Sequence, residues 1–114
     1  MSSTKIVLVT GGNNGIGYET VKAFLQSAKA VYHVLLGSRS TERGNKAIEK
    51  LRGELPETNS TVELVQLDVT SDESIRRALE QVRIHQGRLD ALVSNAGKVI
   101  RIFVSTLRVP FLTI

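Results

Sequence analysis

The chain has 114 residues, which is enough for one compact domain and short for two. Its composition, with 41% hydrophobic and 23% charged residues, is typical of a globular protein and excludes disordered, low-complexity and membrane-spanning classes. Because the chain has no cysteine and only two histidines, His33 and His85, disulfides, thiolate metal sites and zinc centres built on histidine alone are excluded too.

The net charge of +4 is concentrated toward the carboxyl end of the sequence. Residues 1–97 hold 12 Lys and Arg against 11 Asp and Glu with the signs interspersed, whereas residues 98–114 hold basic residues and no acid. A nucleic-acid surface gathers its basic residues on one face, so we expect no nucleic-acid partner. The apolar run after Lys5 is too short for a signal peptide or a membrane span, which predicts a cytoplasmic protein without membrane contact.

The first elements alternate between a strand and a helix. Lys5–Thr10 is rich in β-branched apolar residues and is followed by two glycines, which predicts a strand buried on both faces of a sheet. A helix is predicted next from apolar residues at helical spacing, namely Ile16, Val21, Phe24, Leu25 and Ala28. A second strand is predicted over Val31–Leu36, closed by Gly37.

The same alternation continues after Gly37. Ser40 is the predicted N-cap of a helix that ends before Pro56, because one stripe of that segment is apolar, with Ala47, Ile48, Leu51 and Leu55. A third strand is predicted over Val62–Leu67.

The last helix and strand of the pattern lie between residues 70 and 94. Thr70 and Glu73 have the spacing of a capping box for a helix that ends at Gly87, and Leu89–Ser94 is a predicted fourth strand. Strands and helices in this strict order predict an α/β fold with a doubly wound parallel sheet.

Residues 98–114 differ in character from residues 1–97 and are treated as a separate, divergent tail. They are apolar, β-prone and basic, without a helix cap or an amphipathic period. The doubly wound sheet is therefore predicted to be truncated after the fourth strand. The tail is either a fifth strand or an uncovered, aggregation-prone segment.

The strongest functional signal lies between the first strand and the first helix, where residues 10–17 read Thr-Gly-Gly-Asn-Asn-Gly-Ile-Gly. Glycines let the backbone turn sharply and let a helix N-terminus approach a phosphate, which the free N–H groups and the helix dipole stabilise. The spacing G-x-x-x-G-x-G differs from the commoner G-x-G-x-x-G, and Tyr18-Glu19 replaces the Lys-Ser/Thr of a P-loop. The loop predicts a site for a phosphate-bearing nucleotide.

Two further motifs follow the glycine loop: Asp68-Val69 after the third strand, and Asn95-Ala96-Gly97 after the fourth. With the glycine loop, they resemble the motifs of the short-chain dehydrogenase/reductase family, over residues 5–97. The resemblance implies a Rossmann-like fold, a nicotinamide dinucleotide, and hydride transfer between nicotinamide and a small carbonyl or alcohol substrate. The cofactor-binding residues that it implies are Gly11, Asn14, Gly15, Ile16, Gly17, Arg39, Asp68, Val69, Asn95, Ala96 and Gly97.

The choice of cofactor depends on the end of the second strand. Family members that prefer NAD place an acid there to bind the ribose 2′-hydroxyl, whereas a basic side chain pairs with a 2′-phosphate. This sequence has Ser38 and then Arg39, so the resemblance implies NADP rather than NAD. The alternative is that Arg39 is a solvated loop cation. Arg43 and Asn14 are secondary candidates for the same phosphate.

By resemblance, catalysis needs a serine and a Tyr-x-x-x-Lys pair on a later helix. The chain has this spacing at Tyr18 and Lys22, on the helix directly after the glycine loop, which is the wrong place in the order of motifs. We interpret Tyr18 as structural and Lys22 as solvent-facing. Tyr32, with Leu36 four residues later, does not form the pair. No catalytic residue and no metal ligand is therefore predicted.

Three functional hypotheses follow. The favoured one is an NADP-dependent oxidoreductase, present here as its nucleotide-binding half and inactive alone. The second is a non-enzymatic NADP(H)-binding or partner-docking module, or a truncated product without activity. The third, least favoured, is nucleic-acid binding through the basic tail. An open edge at the fourth strand would also expose apolar surface, which makes a homo-oligomer a further expectation.

Overall fold

The computed structural model describes residues 4–13, 15–96 and 99–104, and for residues 96 and 99–104 it describes the backbone alone. Within these ranges the strands are β1 (Lys5–Val9), β2 (Tyr32–Ser38), β3 (Thr61–Gln66), β4 (Ala91–Ala96) and β5 (Val99–Val104). The helices are α1 (Gly15–Gln26), α2 (Thr41–Glu54) and α3 (Asp72–Gln86). The predicted alternation of strands and helices through β4 is confirmed.

The strands form one sheet in the order β3-β2-β1-β4-β5. β1 pairs in parallel with β2 on one side and with β4 on the other, and β2 pairs in parallel with β3. The direction of winding therefore reverses at β1, because β4 returns to the opposite side of the first strand. The doubly wound parallel sheet is confirmed, and its reversal point is where open α/β sheets bind ligands.

The tail contributes the edge strand of this sheet. β5 pairs antiparallel with β4, with Ala91 opposite Val104 at one end and Ala96 opposite Val99 at the other. The parallel part of the sheet ends at β4 as predicted, but β4 is not an open edge, because β5 is the fifth strand that the β-prone composition of the tail allowed. Residues 97–98 and 105–114 lie outside the described residues.

The core has two layers, one on each face of the sheet. On one face, alternate residues of β1 and β2 pack under α1 and α2. The strands contribute Val7, Val9, Val34 and Leu36, and the helices contribute Val21, Leu25, Ile48 and Leu51. On the other face, strand residues pack under α3. The strands contribute Ile6, Leu8, Leu35 and Val65, and α3 contributes Ala78 and Val82. Burial on both faces explains why β1 is an uninterrupted apolar run in the sequence.

The predicted helix ends are confirmed at two positions and wrong at a third. The Ser40 side chain caps α2 by accepting a hydrogen bond from the Arg43 N–H at 3.2 Å, and Gly87 ends α3 in the left-handed conformation at φ 78°. The predicted cap at Thr70 is wrong, because Ser71 caps α3. The Thr70 hydroxyl instead donates to the Asp68 carboxylate at 2.7 Å within the preceding turn.

Several predicted strand boundaries are shifted by one or two residues. β2 does not close at Gly37 but continues to Ser38, whose backbone still pairs with β3. An ideal Cβ at Gly37 would lie 3.0 Å from the Val9 carbonyl oxygen, so glycine serves close packing there rather than a turn. β4 begins at Ala91 rather than Leu89 and extends to Ala96.

The predicted apolar stripe of the first helix is wrong at both ends. α1 ends at Gln26, so Ala28 lies beyond it, and the side chain of Ile16 is 52% exposed. Ile16 is in the first turn, which rises from the glycine loop before the helix reaches the sheet. Among the described residues, none of the helices is long and apolar enough to cross a membrane.

Candidate functional site

Each glycine of the G-x-x-x-G-x-G pattern is required by the backbone. Gly11 and Gly15 have φ values of +61° and +60°, in the left-handed region that side chains disfavour. Gly17 is needed for space, since an ideal Cβ there would lie 2.0 Å from the Gly11 carbonyl oxygen. The loop therefore folds back on the first turn of α1. Asn14 lies outside the described residues.

Backbone hydrogen bonds fix the glycine loop to the two strands beside β1. The Thr10 N–H donates to the Val93 carbonyl of β4 at 3.0 Å, and the Thr10 hydroxyl accepts from the Asn95 N–H at 2.9 Å. On the other side, the Gly12 N–H donates to the Gly37 carbonyl of β2 at 2.9 Å. The loop is thus held rigidly at the carboxyl ends of the parallel strands.

The Asn95 side chain packs directly against the glycine loop. Its amide nitrogen would lie 3.0 Å from a Cβ at Gly17 and 3.5 Å from one at Gly11. Its amide oxygen is buried and has no hydrogen-bond partner within the described part of the chain. Such an acceptor is costly to leave unpaired, so this position fits a ligand that donates a hydrogen bond.

A cleft of about 290 Å³ opens at the reversal point of the sheet. It brings together five of the residues implied by the resemblance, which are Gly11, Arg39, Asp68, Val69 and Asn95. Gly15 and Ile16 line an adjoining groove, and Gly17 lies beneath the loop. Ala96 is described only as backbone at the end of β4, and Gly97 is outside the described residues.

The charged side chains of the cleft have opposite signs. Hydrogen bonds from the Thr70 hydroxyl and the Thr70 N–H hold the pKa of Asp68 below its usual range, and the nearby Arg39 charge lowers it further. The Arg39 guanidinium forms no hydrogen bond or ion pair within the described part of the chain. It is therefore a cation available to an anionic ligand, next to a carboxylate that stays ionised at neutral pH.

Several lining residues were missed by the sequence reasoning. Thr10, Asn13, Ser38 and Ser40 also line the cleft, as does the secondary candidate Arg43. Thr10 and Asn13 belong to the quoted glycine motif, which was a usable signal. Ser38 had been read in the sequence as the position that decides the cofactor, whereas Ser40 was predicted only as a helix cap, because its place in the cleft depends on how the start of α2 approaches the sheet.

Gly44 sets that approach. An ideal Cβ at Gly44 would lie 2.4 Å from Leu64 Cδ1, a contact that rotation of the leucine side chain relieves, and 3.1 Å from Ser38 Cβ, so glycine favours this close approach of the first turn of α2 to β2 and β3. The Ser38 hydroxyl also donates to the Ser40 carbonyl at 2.8 Å. Close packing thereby brings Arg39 and Arg43 to the same side of the cleft.

The geometry of Tyr18 and Lys22 supports their interpretation as structural. Tyr18 is only 6% exposed, and its hydroxyl donates to the Glu54 carboxylate at 2.6 Å. Burial and this hydrogen bond raise the pKa of Tyr18, the opposite of what proton transfer near neutral pH requires. The prediction of a solvent-facing Lys22 is wrong, because its side chain is 27% exposed and its Nζ lies 3.5 Å from Glu54.

The two histidines lie away from the cleft. His33, near the amino end of β2, lies 2.6 Å from the Thr61 hydroxyl and 2.9 Å from the Glu63 carboxylate, and His85 is exposed near the end of α3. Over the residues that the structure describes, no three His, Cys, Asp or Glu side chains are grouped as metal ligands would be.

The comparison with protein families shows to which family the chain belongs. The family model for short chain dehydrogenase matches residues 5–109. The chain belongs to the short-chain dehydrogenase family. The resemblance read from the glycine loop, Asp68-Val69 and Asn95-Ala96-Gly97 is thereby confirmed, and the match extends into the segment that contains β5.

Individual relatives agree with this assignment. Short-chain dehydrogenase/reductase tropE of Talaromyces stipitatus is 47% identical over 97 residues, which cover 85% of this chain and 36% of that protein. Menthone neomenthol reductase from Mentha piperita matches with a TM-score of 0.75 and 36% identity, over 84% of this chain and 32% of the other. The L-sorbose reductase of Gluconobacter frateurii, solved with NADPH and L-sorbose, matches with a TM-score of 0.71 and 30% identity, over 84% and 34%. The chain spans about a third of the length of these relatives.

Proposed function

We propose that this chain binds NADP(H) in the cleft and is the cofactor-binding portion of an oxidoreductase. The observation that carries the proposal is the convergence of a rigid glycine loop, an unpaired arginine and an ionised aspartate at the reversal point of one sheet. The bound NADPH of the L-sorbose reductase supports the same cofactor class. The nicotinamide of a bound NADP(H) would supply the hydride for a carbonyl substrate, or accept one from an alcohol.

The glycine loop is suited to the diphosphate of the cofactor. Gly17 allows a close approach of the backbone, and Gly15 starts α1, whose first turn contains no acidic residue to neutralise the positive end of the helix dipole. On the far side of the cleft, Asp68 provides an ionised acceptor and Val69 an apolar surface that is 52% exposed. These two residues suit the amino group and the flat face of an adenine.

The end of β2 is suited to a 2′-phosphate. Ser38 is small and uncharged where an acid would repel that phosphate, and Arg39 follows with its guanidinium unpaired in the described residues. A charge-assisted hydrogen bond from arginine to phosphate contributes about 1.5–3 kcal/mol, and an unphosphorylated ribose forms no such bond. We therefore infer a preference for NADP over NAD.

The hydride step itself is not assigned to any residue of the chain. The 114 residues contain two tyrosines, and the one with a lysine four positions later is Tyr18, which is buried and bonded to Glu54. We propose that the chain binds cofactor but turns over no substrate by itself. Substrate choice would then depend on residues beyond this portion of the relatives.

The test is a titration of the purified 114-residue chain with NADPH and with NADH, followed by cofactor fluorescence, while circular dichroism reports the fold. We expect NADPH to bind at least about tenfold more tightly, since one charge-assisted bond separates the two cofactors. Arg39→Ala should remove most of that difference and leave NADH binding unchanged. Arg52→Ala, at the other end of α2, is the charge-matched control. Equal affinities in the folded wild-type chain, or no effect of Arg39→Ala, would overturn the proposal.

A further inference from the structure

A second depression, which we call the basic groove, lies between α1 and α2 beside the cleft. It has a volume of about 740 Å³ and is lined by Asn13, Gly15, Ile16, Tyr18, Glu19, Arg43, Lys46, Ala47 and Lys50. Two of these residues, Asn13 and Arg43, also line the cleft. The basic groove therefore adjoins the cleft at Asn13 and Arg43.

The charge of the basic groove comes from one face of α2. Arg43, Lys46 and Lys50 follow each other at helical spacing along that face, and Glu19 is the acid among the lining residues. The ion pair of Lys46 with Glu42 is long, at 3.9 Å, and both side chains are largely exposed, so it neutralises Lys46 little. An anion at the mouth of the groove would meet a net positive field.

Packing at both ends holds this face of α2 in place. At the start of the helix, Gly44 presses against Leu64 and Ser38, which fixes the backbone beside Arg43. Further along, the Lys50 ammonium lies 4.9 Å from the centre of the Tyr18 ring on α1. The backbone at Lys46 is thus held beside the cleft, whereas its side chain is largely exposed.

We propose that Lys46 is a specificity-determining residue, which favours the 2′-phosphorylated cofactor over the unphosphorylated one. The inference rests on the proposed function, because that function places the 2′-phosphate at Arg39, in the cleft that Arg43 also lines. Lys46 lies about 4.5 Å further along the helix axis than Arg43, and Lys50 about 10.5 Å further. Because salt screens charges beyond about 8–10 Å, we expect Lys46 to act on the phosphate more strongly than the more distant Lys50.

The expected effect is modest, because the interaction crosses solvent. We expect Lys46→Gln to weaken NADPH binding about two- to five-fold and to leave NADH binding unchanged. Glu42→Gln removes the opposite charge from the same surface and should tighten NADPH binding by a similar factor. Both effects should shrink when the salt concentration is raised from about 20 mM to 500 mM, because screening shortens the range of the field.

The experiment measures dissociation constants for NADPH and NADH with the 114-residue wild-type chain, Lys46→Gln, Glu42→Gln and the more distant control Lys50→Gln. Circular dichroism and thermal midpoints establish that each variant folds. Equal changes for both cofactors in Lys46→Gln would overturn the inference, and so would no change. If Arg39→Ala still removes most of the NADPH preference in either case, the proposed function stands without the Lys46 inference. A folded wild-type chain that binds neither cofactor overturns both.

Discussion

Replacing Gly17 by alanine tests the packing of the glycine loop. The added Cβ would lie 2.0 Å from the Gly11 carbonyl oxygen and 2.7 Å from its carbon, whereas ordinary contacts begin at 3.4 Å. The two backbone segments must therefore separate by roughly 1.4 Å. No flexible side chain can absorb this displacement, because the clash is between the new methyl group and the backbone.

The expected magnitude follows from two opposing terms. Overpacking a tight contact costs about 1–3 kcal/mol, and alanine returns up to about 1 kcal/mol in helix propensity. We expect Gly17→Ala to lower the free energy of unfolding by about 1–2 kcal/mol, and to weaken NADPH binding at least tenfold because the loop is displaced.

The assay is urea unfolding followed by circular dichroism, with NADPH titration of the same samples. Gly53→Ala is the matched control, since Gly53 lies in α2 and, apart from its own helix and chain neighbours, no described atom lies within 4 Å of its ideal Cβ. That variant should gain about 0.5–1 kcal/mol from helix propensity and bind NADPH as the wild type does. A Gly17→Ala chain that is as stable as Gly53→Ala and binds NADPH normally would refute the reasoning.

Three further changes test the core, the loop backbone and the buried tyrosine. Leu51→Ala removes a side chain that is 1% exposed and should cost about 2–5 kcal/mol in urea unfolding; a cost below about 1 kcal/mol would contradict the assigned core. Gly15→Ala meets no atom within 4 Å but keeps a φ of +60°, so it should destabilise by about 1–2 kcal/mol through strain alone, and a gain in stability would show that the φ is wrong. The pKa of Tyr18 is raised above its ordinary value of 10.0. The contribution of the protonated Tyr18 hydroxyl to the free energy of unfolding is therefore full below pH 10 and is lost as the pH rises above it. Wild type should therefore lose stability more steeply than Tyr18→Phe from pH 10 to 12, and parallel curves would contradict the buried hydrogen bond to Glu54.

The fold was predictable where burial leaves a clear pattern in the sequence. β1 is apolar along its length because both faces are covered, and the left-handed Gly87 marks the end of α3. The cap of α3 was mispredicted because Thr70 and Ser71 are adjacent hydroxyls, and only the position of Asp68 decides between them. The composition of the tail allowed a strand, but the antiparallel pairing of β5 depends on a contact with β4.

The candidate site could likewise be predicted only in part from the sequence. Gly11, Asp68 and Asn95 were found because they belong to short motifs with fixed places after strands. The place of Ser40 in the cleft and the basic groove were missed because they depend on the distance between helices and strands. Gly44 sets that distance through contacts with residues that are remote in the sequence, so no local pattern encodes it.

The most direct test of NADP(H) binding in the cleft is a titration of the isotope-labelled 114-residue chain with NADPH, followed by amide resonances in nuclear magnetic resonance spectra. Binding in the cleft should shift the amides of Gly11, Gly17, Arg39 and Asp68. The loop of residues 56–60, at the opposite end of the sheet, should keep its resonances. Shifts confined to that loop, or a folded chain whose spectrum does not change with NADPH, would contradict the proposed site.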